Sequence, residues 1–145
     1  MAPRIAPPAR RVRGFTLVES LVALLCLSIG LLGIAALQIT GLRSNVSSAW
    51  RSQATYLSYD VIDRMRANRN NRLDYVTGLG APPTPGGVAE LDLAAWKANL
   101  AATLPGGDGT VALGPPNNLV VTVTIQWDDS RGAAAPLVFT TESRL

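Results

Sequence analysis

The sequence has few of the residues on which catalysis and disulfide bonding depend. It contains no histidine and a single cysteine, Cys26. Histidine is the commonest general acid or base, and one cysteine cannot form a disulfide within the chain. Cys26 lies inside a long apolar run, where a lone thiol packs as a small hydrophobic side chain. We therefore expect a protein that is not an enzyme, carries no cofactor or metal, and holds its folded domain together by core packing.

Charged residues are also scarce, and they are unevenly placed. They make up 16% of the chain, against about 25% in an average soluble domain. Four of the 13 basic residues precede Gly14, whereas all 10 acidic residues follow it. The early basic residues are Arg4, Arg10, Arg11 and Arg13. The net charge of +3 therefore comes from the first residues, so we do not expect a nucleic-acid-binding protein.

One apolar run, from Phe15 to Ile39, dominates the first third of the chain. It is long enough to cross a hydrocarbon core of about 30 Å, which takes roughly 20 apolar residues. It is too long for the apolar core of a secretory signal peptide, which has about 7–15 residues. Basic residues immediately before such a helix hold its amino end in the cytoplasm. The run predicts a single membrane span, with the rest of the chain delivered across the membrane.

Glu19 is the one charged residue inside this run. A carboxylate at the centre of a membrane helix costs about 3 kcal/mol on insertion scales, and such residues are usually functional and paired. The alternative is a glutamate near the membrane surface whose carboxylate reaches the lipid headgroups.

The residues from Gly14 to Glu19, Gly-Phe-Thr-Leu-Val-Glu, resemble the prepilin processing motif of type IV pilins and type II secretion pseudopilins. The basic leader and the apolar helix belong to the same motif. The continuation from Leu27 to Gln38 is similar to PilV-type minor pilins, also called type IV pilus modification proteins. The resemblance implies that prepilin peptidase cuts between Gly14 and Phe15 and methylates the new amine of Phe15. It also implies that Glu19 pairs, in the fibre, with the terminal amine of a neighbouring subunit.

The resemblance implies that the protein functions as a minor pilin. Such a protein helps to initiate or modify the type IV pilus, contacting prepilin peptidase, other minor pilins, the major pilin and the inner membrane, with no small-molecule substrate. The alternative is a minor pseudopilin of a type II secretion system, which has the same processing site and the same glutamate. A membrane-anchored enzyme or binding protein is a third possibility, but it needs a polar site in residues 68–145, and none is evident.

The resemblance and the pattern of the remaining residues predict an α+β, type IV pilin-like fold. We expect a removed leader over residues 1–14, the membrane half of a long helix over 15–41, and an extracytoplasmic domain over 42–145. Apolar residues recur in steps of three and four beyond the membrane, which predicts an amphipathic second half of the helix over 42–68. Its buried face is predicted to hold Leu42, Val46, Trp50, Ala54, Leu57, Val61 and Met65, with Ser58 on the polar face.

Further elements follow in the second half of the chain. We expect a loop over 69–88 and a short helix over 90–104, with Asp92 as its N-cap. The apolar side of that helix is predicted to hold Leu93, Trp96, Leu100 and Leu104. Strands are predicted at about 110–113, 119–127 and 137–142, and the middle one is the clearest because its apolar and polar residues alternate. The last two strands form a hairpin that lies on the long helix.

Two groups of charged residues are interpreted as solvated surface. The first, Arg64, Arg66, Arg69 and Arg72, lies near the carboxyl end of the long helix, where cations complement the helix dipole. Its alternative is DNA capture, for which Tyr75 is the nearest aromatic side chain that could stack on a base. The second group is Asp128 and Asp129, which flank a turn and have cation binding as their alternative.

Overall fold

The computed structural model describes residues 14–83, 85–130 and 132–145. The predicted leader, residues 1–14, lies outside the described residues except for Gly14. The chain forms two compact units, one that ends at Leu42 and one over Arg43–Leu145. The elements are helix α1 (Leu17–Ala67), a 3-10 helix (Arg69–Tyr75), helix α2 (Gly87–Thr103), and strands β1 (Asp108–Gly114), β2 (Val120–Trp127) and β3 (Leu137–Arg144). A long apolar helix followed by an antiparallel sheet on which it packs confirms the predicted α+β class.

Helix α1 is a single helix because no proline interrupts the sequence between Phe15 and Tyr75. Its two ends, Leu17 and Ala67, lie within two residues of the predicted limits of 15 and 68. Every residue from Gly14 to Val46 is exposed, whereas buried side chains begin at Ala54. The helix therefore has an uncovered first half and a second half that contributes to the core of the domain.

The predicted buried face of α1 is wrong at its beginning. Leu42 is 65% exposed and Val46 is 45% exposed, because the sheet and α2 cover the helix only from about Trp50 onward. The prediction is also wrong for Ser58, which is fully buried. Its hydroxyl donates to the Thr55 carbonyl oxygen at 2.8 Å and lies 3.3 Å from the hydroxyl of Thr141. These partners satisfy the hydroxyl, so its burial carries no desolvation penalty from an unpaired group.

Helix α2 begins three residues earlier than predicted, at Gly87. Asp92 is therefore not its N-cap, and that prediction is wrong. At the start of the helix, the Gly86 N–H donates to the Glu90 carboxylate at 2.7 Å. The side that was predicted to be apolar is confirmed, since Leu93, Trp96, Leu100 and Leu104 are all buried.

The sheet has the order β1-β2-β3, and both strand pairs are antiparallel. The central strand alternates between buried and half-buried residues, as predicted. Its buried side chains are Val121, Val123, Ile125 and Trp127. The outer strands are longer than predicted, because pairing with β2 continues through residues that strands otherwise disfavour, such as Asp108, Gly109 and Gly114.

The predicted loop over 69–88 carries more structure than expected. It contains the 3-10 helix, and Thr77 then pairs with Val111 on the outer edge of β1. The Lys97 ammonium group holds the following turn by donating to the carbonyl oxygens of Gly78 and Ala81, at 2.7 and 2.9 Å. The same side chain forms an ion pair with Asp108 at 3.3 Å. This loop is thus attached to both α2 and β1.

Candidate functional site

The candidate processing site is the segment from Gly14 to Glu19 at the beginning of α1. Gly14, Phe15 and Thr16 precede the helix, and all three are exposed. The Phe15 side chain is 81% exposed. The Gly14–Phe15 peptide bond therefore lies outside the helix, with no side chain of the described residues packed over Phe15.

Glycine at position 14 is not required by the packing of the chain itself. A Cβ placed on Gly14 would have no heavy atom within 4 Å, and its φ lies outside the left-handed range that other residues avoid. The cleavage that the resemblance implies offers an explanation, because a residue without a side chain can enter the tight cleft of a peptidase in more conformations. An unconstrained Gly14 agrees with that explanation, because the described part of the chain supplies no other.

Thr16 is the N-cap of α1, a role that sequence reasoning missed. Its hydroxyl accepts a hydrogen bond from the Glu19 N–H at 3.3 Å, and its carbonyl oxygen accepts the first helical bond, from the Ser20 N–H, at 3.1 Å. These are the two contacts that define an N-cap residue. The spacing Thr-x-x-Glu, from Thr16 to Glu19, is a sequence signal for such a start and could have revealed it.

Glu19 lies in the first turn of α1, where a negative charge is stabilised by the helix dipole. It is exposed, and no described residue forms a hydrogen bond or ion pair with its carboxylate. Its predicted partner, the amine of Phe15 on a neighbouring subunit, forms only after cleavage. The pairing therefore stays a prediction.

The helix that follows this site has the character of a membrane anchor. Within the described ranges, α1 is the one helix whose length and composition suit a membrane span. Its hydroxyl groups are internally satisfied: Ser28 donates to the Leu24 carbonyl oxygen at 2.7 Å, and Thr40 to that of Ala36 at 3.1 Å. Such bonds allow polar side chains to lie in an environment without water. Glu19 is thus the charged exception in an otherwise apolar surface.

The comparisons with known proteins agree with this description of the site. The chain matches the family model of the prokaryotic N-terminal methylation motif over residues 9–35, which includes Gly14, Phe15 and Glu19. The match supports a type IV pilin-like protein. The motif implies processing by prepilin peptidase and association with a membrane, and it supports a role in pilus or pseudopilus assembly. No curated protein and no solved structure gives a significant match to the chain.

Two of the four arginines near the end of α1, Arg64 and Arg72, are less solvated than predicted, whereas Arg66 and Arg69 are exposed as predicted. Arg64 forms ion pairs with Asp60 and Asp92, both at 3.1 Å, and only a third of its side chain is exposed. Tyr75 is fully buried and donates from its hydroxyl to Asp92 at 2.5 Å. Burial and this hydrogen bond raise the pKa of Tyr75, so the hydroxyl remains a donor. The DNA alternative thus loses its stacking side chain, because a buried ring cannot reach a base.

Arg66 and Arg72 also bind other parts of the domain. Arg66 forms an ion pair with Asp63 at 2.8 Å and donates to the hydroxyl of Ser143 in β3 at 2.8 Å. Arg72 donates to the carbonyl oxygens of Asn117 and Asn118, at 3.2 and 3.1 Å. These two asparagines have φ of 57° and 55°, and the guanidinium group secures the turn between β1 and β2 that they form. The two arginines stabilise the fold at places where sequence reasoning predicted a solvated helix end.

The carboxylates of the β2–β3 turn are engaged within the domain. Asp129 accepts a hydrogen bond from the Ser47 hydroxyl at 2.8 Å, which connects the turn to α1. Asp128 accepts from the N–H and the hydroxyl of Ser130, at 2.8 and 2.9 Å. Over residues 14–83, 85–130 and 132–145, no three side chains of the metal-binding types lie close enough together to hold an ion. Both aspartates therefore have structural roles, as hydrogen-bond acceptors that hold the turn.

Proposed function

We propose that this protein is a minor pilin of the type IV pilus, of the PilV type, which helps to initiate or modify the fibre. The main support for the proposal is the N-terminal methylation motif, which lies at the start of an exposed apolar helix. The same helix continues into an α+β domain. A single membrane helix that also forms part of a folded domain suits a subunit that leaves the membrane and packs into a fibre.

Processing creates the charge on which assembly depends. Cleavage between Gly14 and Phe15 leaves an amine on Phe15, and this amine remains protonated after methylation. Its positive charge lies in the same membrane layer as the carboxylate of Glu19, which no described residue pairs. Leaving a buried charge without its partner costs about 3–5 kcal/mol, whereas a paired charge gains little net stability. The pair therefore acts as a check on the register between subunits.

The orientation of the protein in the inner membrane follows from the distribution of charge. Four arginines precede Gly14, and positive residues beside a membrane helix stay in the cytoplasm. The domain over Arg43–Leu145 is then periplasmic before assembly. Its partners in the fibre are other minor pilins and the major pilin.

A minor pseudopilin of a type II secretion system is the second candidate. The methylation motif supports it equally, because pseudopilins are processed at the same motif. The continuation from Leu27 to Gln38, which is similar to PilV-type proteins, favours the pilus.

Isolation of surface fibres tests the proposal and separates the two candidates. The tagged full-length protein is expressed in its host, and fibres are sheared from cells that lack either the pilus assembly platform or the secretion platform. We expect a low copy number of the tagged protein in the fibres. The tagged protein should disappear from the sheared fraction when the pilus platform is missing and remain there when the secretion platform is missing. The reverse dependence would establish the pseudopilin, and absence from both kinds of fibre would overturn both candidates.

A further inference from the structure

The start of helix α1 is fixed by a side chain of the processing motif itself. The Thr16 hydroxyl accepts from the Glu19 N–H at 3.3 Å, while the Thr16 carbonyl oxygen accepts from the Ser20 N–H at 3.1 Å. An N-cap residue has non-helical backbone angles, so the helix begins at the residue after it. Thr16 is therefore the last residue before the helix, and Leu17 is the first residue inside it.

The position of this boundary matters for cleavage. Inside a helix, each N–H and C=O group is engaged in an intrahelical bond, and side chains surround the backbone. A peptidase cannot reach both sides of a peptide bond in that state. The Gly14–Phe15 bond lies one residue before the N-cap, so it is outside the helix.

No other described side chain accepts a hydrogen bond from an N–H group at this boundary, although the Ser20 hydroxyl donates to the Thr16 carbonyl oxygen at 3.4 Å. Gly14 has open space around it and no constrained φ, and the Glu19 carboxylate has no hydrogen bond to the segment before the helix. Near the membrane, where water is scarce, an unpaired N–H at the helix start is costly. The Thr16 hydroxyl is the group that satisfies the Glu19 N–H and so keeps the boundary in one place.

We propose that Thr16 is a positioning residue for processing, which caps α1 and so presents the Gly14–Phe15 bond to the peptidase outside the helix. This inference rests on the proposed function, because it assumes that prepilin peptidase cuts at this bond. The same cap leaves the new amine of Phe15 outside the helix, where it is accessible to methylation.

The test compares the cleavage rates of full-length variants in membranes that contain prepilin peptidase. Thr16→Val keeps the shape of the side chain and removes the hydroxyl, and we expect cleavage about fivefold slower. That change corresponds to the roughly 1 kcal/mol that an N-cap contributes. Thr16→Ser and Thr16→Asn supply other capping groups and should be cut at nearly the wild-type rate. The matched control is Ser20→Ala, which removes the hydroxyl that donates to the Thr16 carbonyl oxygen but leaves the bond from the Glu19 N–H to the Thr16 hydroxyl, and it should be cut at nearly the wild-type rate.

Hydrogen exchange of the Glu19 amide in the uncleaved, detergent-solubilised protein supplies the second readout. The amide should be protected in the wild type, Thr16→Ser and Thr16→Asn, and exchange faster in Thr16→Val. Wild-type cleavage of Thr16→Val would overturn the inference. So would slow cleavage of Thr16→Asn with a protected Glu19 amide, since the peptidase would then recognise threonine itself. If the wild type is not cut at Gly14–Phe15, the proposed function fails and the inference fails with it.

Discussion

The ring of Trp96 lies against the backbone of Gly109, so closely that a Cβ on Gly109 would be 2.5 Å from Cη2 of the ring. The indole N–H of Trp96 donates to the Leu57 carbonyl oxygen at 2.9 Å. One buried side chain of α2 thus contacts both β1 and α1. The strand can approach this closely only because position 109 has no side chain.

Replacing Gly109 should therefore disturb the core, whereas replacing a second glycine of the same strand should not. The methyl group of Gly109→Ala meets the Trp96 ring and lies 3.1 Å from the Thr124 carbonyl oxygen. We expect a loss of about 1–3 kcal/mol in the free energy of unfolding. At Gly114 the nearest atom to a Cβ is 4.0 Å away, so Gly114→Ala should stay within about 0.5 kcal/mol. Urea denaturation of a soluble fragment that begins at Arg43 measures both, and equal midpoints would contradict this packing.

Two tryptophans, Trp50 and Trp127, should contribute differently to the stability of this fragment. It keeps every buried residue of the described chain, from Ala54 to Trp127, so it should fold without the membrane half of α1. Trp127 is 2% exposed, and Trp127→Ala should cost about 3–5 kcal/mol. Trp50 is only half-buried at the edge of the core, so Trp50→Ala should cost clearly less. If urea denaturation showed a larger loss in the free energy of unfolding for Trp50→Ala than for Trp127→Ala, Trp127 would not lie in the core with Trp50 at its edge.

Acid should destabilise the domain through Asp108. Burial raises the pKa of this carboxyl, but the N–H groups of Gly80 and Gly109 and the Lys97 ammonium group outweigh burial and lower it below 3.8. A depressed pKa in the folded state means that this stabilisation is present above the unfolded pKa and is lost as pH falls through the folded value. Denaturation midpoints should therefore fall more steeply below about pH 4 in the wild type than in Asp108→Asn.

The variant Lys97→Met provides the matched comparison for this pH dependence. It removes one of the groups that lower the pKa of Asp108 and leaves the two backbone donors in place. Its dependence on pH should lie between those of the wild type and Asp108→Asn. Identical acid profiles for all three proteins would refute the assignment to Asp108.

Glu19 should be needed for assembly and dispensable for folding. Glu19→Gln leaves the amine of the neighbouring subunit without a counter-charge, and we expect on the order of a hundredfold less protein in fibres, or lower, because breaking a buried pair costs about 3–5 kcal/mol. Glu19→Lys should reduce incorporation further through repulsion between like charges. Both variants should still be cut at Gly14 and inserted into the membrane. The ratio of protein in sheared fibres to protein in membranes measures the effect, and wild-type incorporation of Glu19→Lys would refute the pairing.

The parts of the fold that sequence reasoning predicted well are those with a strong local pattern. Helix α1 is marked by a long run without proline, and β2 by strict alternation of apolar and polar residues. The N-terminal methylation motif was recognised because the spacing from Gly14 to Glu19 is specific, and the family model matches it. These features depend on neighbours in sequence, so the sequence alone reveals them.

The errors concern properties that depend on which elements meet in space. Periodicity indicates which face of a helix is apolar, but not at which residue the sheet and α2 begin to cover that face. Leu42 and Val46 were therefore placed in the core. Asp92 has the residue type of an N-cap, but its carboxylate binds Arg64 and Tyr75, which are distant in sequence. The arginines were taken as solvated for the same reason. Asp60 and Asp63 lie within four residues of their arginines on α1, but the remaining partners, such as Asp92 and Ser143, belong to other elements and nothing local in the sequence shows them.

The measurement that tests the central claim most directly is the intact mass of the full-length protein after extraction from the membranes of its host. The account predicts a mature chain that begins at Phe15 and carries one methyl group on its amine, and an uncut chain in cells without prepilin peptidase. A chain that still begins at Met1 when the peptidase is present would contradict the account. So would a chain cut after residue 37, as a conventional signal peptidase would leave it.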